Sequence, residues 1–253
     1  MYPEERHARI IEVARHAGRV EVGQLATELD VTPETVRRDL TSLERQGLLR
    51  RVHGGAIPIE RLGFEPPVGT RAEVLTAEKE RIAKAALALL PPEGSILLDA
   101  GTTTARLAAA LPEDRELTVV TNALDIAVTL AQQHNLTVLV LGGRVRSRTL
   151  AAVDVWALDA LKDTFVDVAF LGTNGISAER GLTTPDPTEA AVKRAMIAAS
   201  RRSVVLGDHT KVGTDHLIRF GDLDQIDTFV TDAGLDLELT GELEATGLKV
   251  VRA

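Results

Sequence analysis

The chain has 253 residues, 44% hydrophobic and 26% charged, with a formal net charge of −8 and no cysteine. That length suits one large domain, or a small domain joined to a larger one, with enough apolar residues for a core. Disulfides and thiolate metal sites are excluded, and neither a signal peptide nor the roughly 20-residue apolar run of a membrane span is evident, so a reducing, cytoplasmic setting is expected.

The charge is unevenly spread. Residues 1–59 hold nine Arg against nine Asp/Glu, whereas residues 60–253 hold 20 Lys/Arg against 28 Asp/Glu and carry the whole −8. Residues 35–56 contain five Arg against Asp39 and Glu44. A local cationic patch on an acidic protein is the distribution of a DNA reader with a separate regulatory body.

The first predicted helix runs from Glu4 to about Ala17, with Ile10, Ile11, Val13 and Ala14 at helical spacing and Gly18 as its stop. Val22, Leu25, Ala26 and Leu29 mark a short second helix. Thr32 is a natural N-cap with Pro33 at the first helical position, and Val36, Leu40 and Leu43 give the third helix its buried stripe, up to Gly47. Two short helices so joined form a helix-turn-helix, and "LLRRVHGGAIP" suits a β-hairpin wing. Residues 1–57 are thus read as a winged helix-turn-helix domain, and 58–75, with three prolines and two glycines, as a linker.

From residue 76 to 253 apolar runs alternate with helical stretches, the pattern of an α/β domain around a mostly parallel sheet. Nearly every predicted strand ends in small or polar residues, and ligands of open parallel sheets bind at those ends.

Burying its apolar stripe leaves the third helix an exposed face with Thr35, Arg37 and Arg38, next to Thr32 at its start. Guanidiniums and hydroxyls fit a DNA major groove, while Arg50, Arg51, His53, Gly54 and Gly55 lie where a wing meets the flanking backbone. A solvated helix face with local ion pairs is the plainer alternative.

In the larger domain, Gly101, Thr102, Thr103 and Thr104 stand at a strand-to-helix turn, where amides and hydroxyls make an anion cradle. Thr121 and Asn122 repeat the arrangement. Gly142, Gly143 and Arg144 follow another strand, and Gly172, Thr173, Asn174 and Gly175 a fourth. Arg144 or Lys211 can supply positive charge, and Asp99, Glu189 and Asp208 can accept bonds from sugar hydroxyls. Read singly, Asp99 and Asp208 are equally helix caps, and Glu189 with Lys193 a surface i,i+4 pair. Together these residues suit a phosphorylated polyol. No metal or cofactor is expected.

"GRVEVGQLATELDVTPETVRRDLTSLERQGLLRRVHGGA" resembles the DNA-binding signature of the DeoR family of bacterial transcription regulators. Thr32, Thr35, Arg37, Arg38, Asp39, Leu40, Arg51, His53, Gly54, Gly55 and Ala56 match it position by position. "DAGTTT", "TNALDIA", "AFLGTNGI", "GLTTPDPTEAAVKRAMI" and "GDHTKVG" resemble that family's sensor domain, while "TLAAVDVWALDAL" departs from the Ser-x-x-Gly stretch common after Gly143. The resemblance implies a sensor fold similar to ribose-5-phosphate isomerase and CoA transferases, with double-stranded operator DNA and a phosphorylated sugar as ligands. Because a single winged helix has a small footprint and such DNA binders gain affinity by pairing half-sites, a homodimer or homotetramer is expected. The likeness is greatest to actinobacterial-type regulators of fructose utilisation, which implies fructose 1-phosphate as effector. The competing expectations are a sugar-phosphate isomerase with a DNA-binding head and a DNA binder without a ligand.

Overall fold

The computed structural model describes residues 2–17, 19–58 and 65–253. Gly18 and linker residues 59–64 lie outside the described residues. The chain forms two compact units, Met1–Pro66 and Pro67–Ala253.

In the first unit α1 (Pro3–Ala17) is followed by β1 (Val20–Glu21), α2 (Val22–Glu28), α3 (Pro33–Arg45), β2 (Leu49–Val52) and β3 (Gly55–Pro58). Ile10 and Ala14 of α1 close with Leu25 and Ala26 of α2 and with Val36, Leu40 and Leu43 of α3 on one apolar core. The Thr32 hydroxyl accepts from the Thr35 amide at 3.2 Å, capping α3, and Pro33 occupies its first turn. β2 and β3 form the wing, and β1 pairs with β3 to make a three-stranded sheet. Gly54 turns the hairpin at φ +75°, and a Cβ on Gly55 would lie 1.9 Å from the Val20 carbonyl oxygen. Both glycines are therefore dictated by backbone geometry.

Asp39 faces inward from α3. It accepts from Arg6 Nε at 2.5 Å and Arg6 Nη2 at 3.0 Å, and lies 3.0 Å from His7 Nε2. A carboxylate on a helix offered to DNA is thereby buried and spent inside the fold.

The second unit begins with α4 (Val68–Ala72), so the stretch read as linker ends in a helix. Then come α5 (Thr76–Ala86), β4 (Gly94–Leu98), α6 (Thr102–Ala109), β5 (Leu117–Thr121), α7 (Leu124–Leu130) and β6 (Leu136–Val140). A short ribbon, β7 (Arg144–Val145) and β8 (Ala152–Val153), precedes α8 (Val155–Lys162) and β9 (Val166–Gly172). After β10 (Gly175–Ser177) and β11 (Gly181–Thr184) come α9 (Pro187–Ala198), β12 (Ser200–Leu206), β13 (Ile218–Gly221), β14 (Thr228–Thr231), α10 (Leu237–Glu244) and β15 (Lys249–Arg252).

Seven strands form one parallel sheet in the order β15-β14-β12-β9-β4-β5-β6. Successive residues alternate across it: Ile96 and Leu98 join α5, α6 and α7 on one face, and Leu97 joins α8, α9 and α10 on the other. The chain builds outward from β4 to β5 and β6, then returns to set β9 on β4's other side. That reversal makes β4/β9 the switch point at which such sheets bind ligands. An antiparallel sheet, β10-β11-β13, stands beyond it and was not expected from the sequence.

Asp39→Ala should destabilise the first unit by about 3–5 kcal/mol, because it removes the carboxylate bonded twice by the buried Arg6 guanidinium. Burial works to raise the Asp39 carboxyl, but the bonds and charges of Arg6 and His7 outweigh it and hold it below the usual range. The wild-type contribution is therefore complete above the unfolded carboxyl pKa and is lost as pH falls through the lower folded value. Urea midpoints for wild type and variant, compared at neutral and acid pH, should converge on acidification.

Candidate functional site

The outward face of α3 forms a shallow groove of 420 Å³ with the wing, lined by Glu34, Arg37, Arg38, Thr41, Ser42, Arg45 and Arg51. Arg37 lies 3.3 Å from Glu34, with both side chains more than half exposed. Among the described residues Arg38, Arg45 and Arg50 are exposed with no hydrogen-bond or ion-pair partner. Arg51 braces the wing against the helix: its amide donates to Glu44 Oε1 at 2.9 Å and its Nη1 to the Thr41 hydroxyl at 3.1 Å. The Thr32 and Thr35 hydroxyls sit 2.9 Å apart within the cap. His53 is exposed at the wing's turn. Arg45, absent from the sequence reading, falls seven residues after Arg38 on the same face, a spacing that would have found it.

The sensor unit brings the ends of β12, β9, β4, β5 and β6 side by side, so the five loops singled out by sequence line one edge. At the switch point Asp99 is buried, accepting from the Gly172 amide at 2.9 Å and from Lys193 Nζ. Lys193 also donates to the Gly172 carbonyl at 2.8 Å, with its ammonium 5.2 Å from the Phe220 ring centroid. Glu189, one turn earlier, is also buried, and accepts from Arg146 Nη1 and the Thr149 hydroxyl, each at 2.5 Å. Glu189 and Lys193 are thus not a surface pair: each is turned inward to its own opposite charge or donor.

Several predicted side chains are committed to the scaffold. Thr104 donates to the Gly101 carbonyl at 2.9 Å and Thr121 to the Leu98 carbonyl at 2.7 Å, both fully buried. Asn122 accepts from the Ala100 amide at 3.1 Å and donates to the Ala152 carbonyl at 3.2 Å, tying β4's exit to β8. A Cβ on Gly143 would meet the Val153 carbonyl at 2.3 Å, and one on Gly175 the Thr214 carbonyl at 2.1 Å. Arg144, expected to charge the cleft, is more than half exposed and bonded to Asp154 at 2.6 Å; Arg146 is the arginine that turns inward.

Thr102 is half-buried and Thr103 buried at the start of α6, with Gly101 and Gly172 through Asn174 nearby on the same edge. Thr173 donates to the Gly175 carbonyl at 2.7 Å, and Asn174 accepts from Thr184 at 3.0 Å. Gly207 leaves room for Thr173 and the Lys211 stem, whose atoms lie 3.4 and 3.5 Å from where its Cβ would be. Asp208 caps the turn His209–Lys211 and accepts from the Thr210 hydroxyl at 2.5 Å.

Around Asp208 gathers a cationic cluster of which sequence reasoning named only Lys211. Lys79 of α5 is buried and donates to the Val74 carbonyl at 2.6 Å and to that of Arg71. Burial lowers its ammonium to about 8; Asp208 opposes this, while Lys211, Arg71 and Arg106 push further down. Burial alone would raise Asp208, but Lys211, Thr210, Lys79 and His209 hold it low. His209 bonds Asp232 at 2.8 Å and is raised by it, while Asp232 is held at about 2: burial works against that, and the His209 bonds and charge overcome it.

A winged helix with an exposed arginine face, followed by a parallel α/β unit whose polar strand ends gather at one edge, defines a DNA-binding regulator with a ligand-sensing body. A DeoR-like helix-turn-helix domain matches residues 6–61 and a DeoR C terminal sensor domain matches residues 75–233. The chain is 37% identical over 251 residues to the HTH-type transcriptional regulator GlpR of Haloferax volcanii, covering 99% of this chain and 98% of that one. It is 34% identical over 229 residues to the glycerol-3-phosphate regulon repressor of Escherichia coli, covering 90% of each. Ribose 5 phosphate isomerase A of Neisseria gonorrhoeae overlaps 55% of this chain and 54% of its own at 15% identity and a TM-score of 0.39. The chain belongs to the DeoR family, and is a transcription regulator rather than an enzyme.

Arg38→Ala should weaken operator binding by about 1–3 kcal/mol if its guanidinium reads a guanine, or reduce the salt slope by about one if it meets only phosphate. Arg37→Ala should cost less, because Glu34 already competes for that guanidinium. Fluorescence anisotropy with operator DNA over a salt series checks both; unchanged affinity in both folded variants would refute the assigned face.

Proposed function

We propose that the protein is a cytoplasmic repressor of a sugar-utilisation operon, released from operator DNA when a phosphorylated sugar enters the sensor cleft. The observation that carries this reading is the cluster around Lys79: Asp208, Lys211, Arg71 and Arg106 all lie within electrostatic reach of its buried ammonium. A partly buried group of cations favours an anion beside it. The phosphate is assigned to the Gly101–Thr103 turn and Lys211, with Thr102 and Thr103 donating. The hydroxyl-bearing end is assigned to the Asp99, Gly172–Asn174 and Glu189 side.

Fructose 1-phosphate is the leading effector, supported by the resemblance of "DAGTTTARLAAALP" and "GLTTPDPTEAAVKRAM" to fructose-operon regulators. The name of the Escherichia coli relative, a glycerol-3-phosphate regulon repressor, supports the broader class of phosphorylated polyols. Release requires the effector to bind the DNA-competent and DNA-released arrangements unequally, and operator must then weaken effector binding by the same factor.

Thr102→Val or Thr103→Val should lower phosphosugar affinity by roughly 1–3 kcal/mol while sparing operator binding in its absence. Calorimetric titration with fructose 1-phosphate, fructose and glycerol 3-phosphate checks this, and variants as tight as wild type would move the phosphate elsewhere.

An anion beside Lys79 favours its protonated form and so raises its pKa above about 8. Affinity should therefore be full below that value and fall as pH rises through it, because the free protein then gives up the proton the complex retains. Titrations across this range check the sign, and Lys79→Met, if folded, should flatten the profile.

A further inference from the structure

The two ends of the parallel sheet are built differently. β15, at one end, reads "KVVR", with Lys249 and Arg252 at its limits, the usual charged protection of an open strand edge. β6, at the other, reads "LTVLV": no charge, no proline, and exposed Thr137, Leu139 and Val140. Its outer backbone edge pairs with no strand among the described residues.

The apolar exposure follows the same bias. Leu124 and Val128 of α7, Leu139 and Val140 of β6, Val145 of β7, and Val155 and Trp156 of α8 all exceed one-third exposure, Trp156 reaching 76%. All seven come from residues 124–156, which build the β6 side of the unit. α7 packs on β6, and Trp156 approaches the turn after it, 4.0 Å from where a Gly142 Cβ would stand. Such side chains, on both sides of the β6 edge, together expose on the order of 600 Å², near the ~800 Å² each partner gives a standard interface.

We propose that the β6 edge, flanked by α7 and the start of α8, is the surface on which a second copy of this chain docks, with the two β6 strands antiparallel across a two-fold axis. The charge distribution selects that occupant. Residues 60–253 carry the entire −8, so copies of this unit repel one another except where a face is neutral. β6 is neutral along its whole length, the nearby Arg144 and Asp154 neutralise each other at 2.6 Å, and the flanking α7 carries a single charge, Asp125. An uncharged strand is its own antiparallel complement, and a two-fold contact uses one patch twice. The assembly joins two sheets into one, covers both open edges and carries two heads for two half-sites.

The chain contains one tryptophan and no cysteine, which makes the test direct. Sedimentation equilibrium of the full chain should show self-association, and dilution should red-shift Trp156 emission as it becomes exposed. Leu139→Lys should weaken association at least tenfold and give the red-shifted emission at every concentration, with circular dichroism unchanged. A second arm avoids dependence on that variant. Thr137→Cys/Leu139→Cys, on one face of the strand, should oxidise to a covalent dimer, whereas Leu237→Cys, exposed elsewhere, should not. A monomeric wild type, a folded Leu139→Lys with wild-type mass and emission, or no more crosslinking at β6 than at Leu237 would each overturn the proposal.

Discussion

The sensor unit depends on one buried contact, the pairing of Asp99 with Lys193 across the β4/β9 seam. The loops leaving these two strands diverge, so the crevice between them has little main chain to hold its floor. Asp99 supplies the tie by accepting from the Gly172 amide as well as from Lys193. Lys193 returns a bond to the Gly172 carbonyl and lies against the Phe220 ring. A buried pair of this kind adds little net stability, since both charges are taken from water. Its effect is geometric: α9, β4 and β9 are locked into one arrangement. Asp99 is thereby paired within the seam, while Asp208 acts on the buried Lys79.

The head solves the same problem with opposite sign. Its recognition helix carries Asp39 directly after Arg37 and Arg38, and a carboxylate there would repel the DNA backbone. Turning it inward onto Arg6 and His7 removes that repulsion and pins α1 to α3. In both units a carboxylate is buried against a cation, and in the head this leaves other cations available. In the head these are Arg38, Arg45 and Arg50, unpaired among the described residues.

Much of this was legible in the sequence because periodicity reports burial. Val36, Leu40 and Leu43 marked the core face of α3, and the continuous apolar runs of β4, β5, β9 and β12 marked a sheet covered on both sides. Polar strand ends marked one edge of the unit for the same reason: a parallel sheet gathers all its carboxyl ends there. What stayed hidden were side chains whose role depends on tertiary direction. In "GGRVRSRTL" three arginines alternate, and nothing local shows that Arg144 turns out to Asp154 while Arg146 turns in to Glu189. Lys79 sits in "TAEKERIAK", which reads as a solvated helix face; only the carbonyls of Arg71 and Val74, from a segment that looked like linker, make it a buried group. The three short strands of β10-β11-β13 were too brief to carry a period.

An acidic chain that binds a polyanion and a small anion must do so through local fields, and the two fields here differ in reach. The head's arginines are exposed, so ions screen them over a Debye length of about 8 Å at physiological strength. That suits a contact with a long polyelectrolyte, where counterion release supplies the driving force. The sensor's cations are partly or wholly withdrawn from water, and Lys79 shows it by its lowered ammonium. Screening is weaker there, and a small anion gains from a few close charges without help from the bulk field. The excess acid of residues 60–253 therefore does not oppose either ligand at its site. It acts between molecules, and leaves the neutral β6 edge as the approach that copies of this unit can make without repulsion.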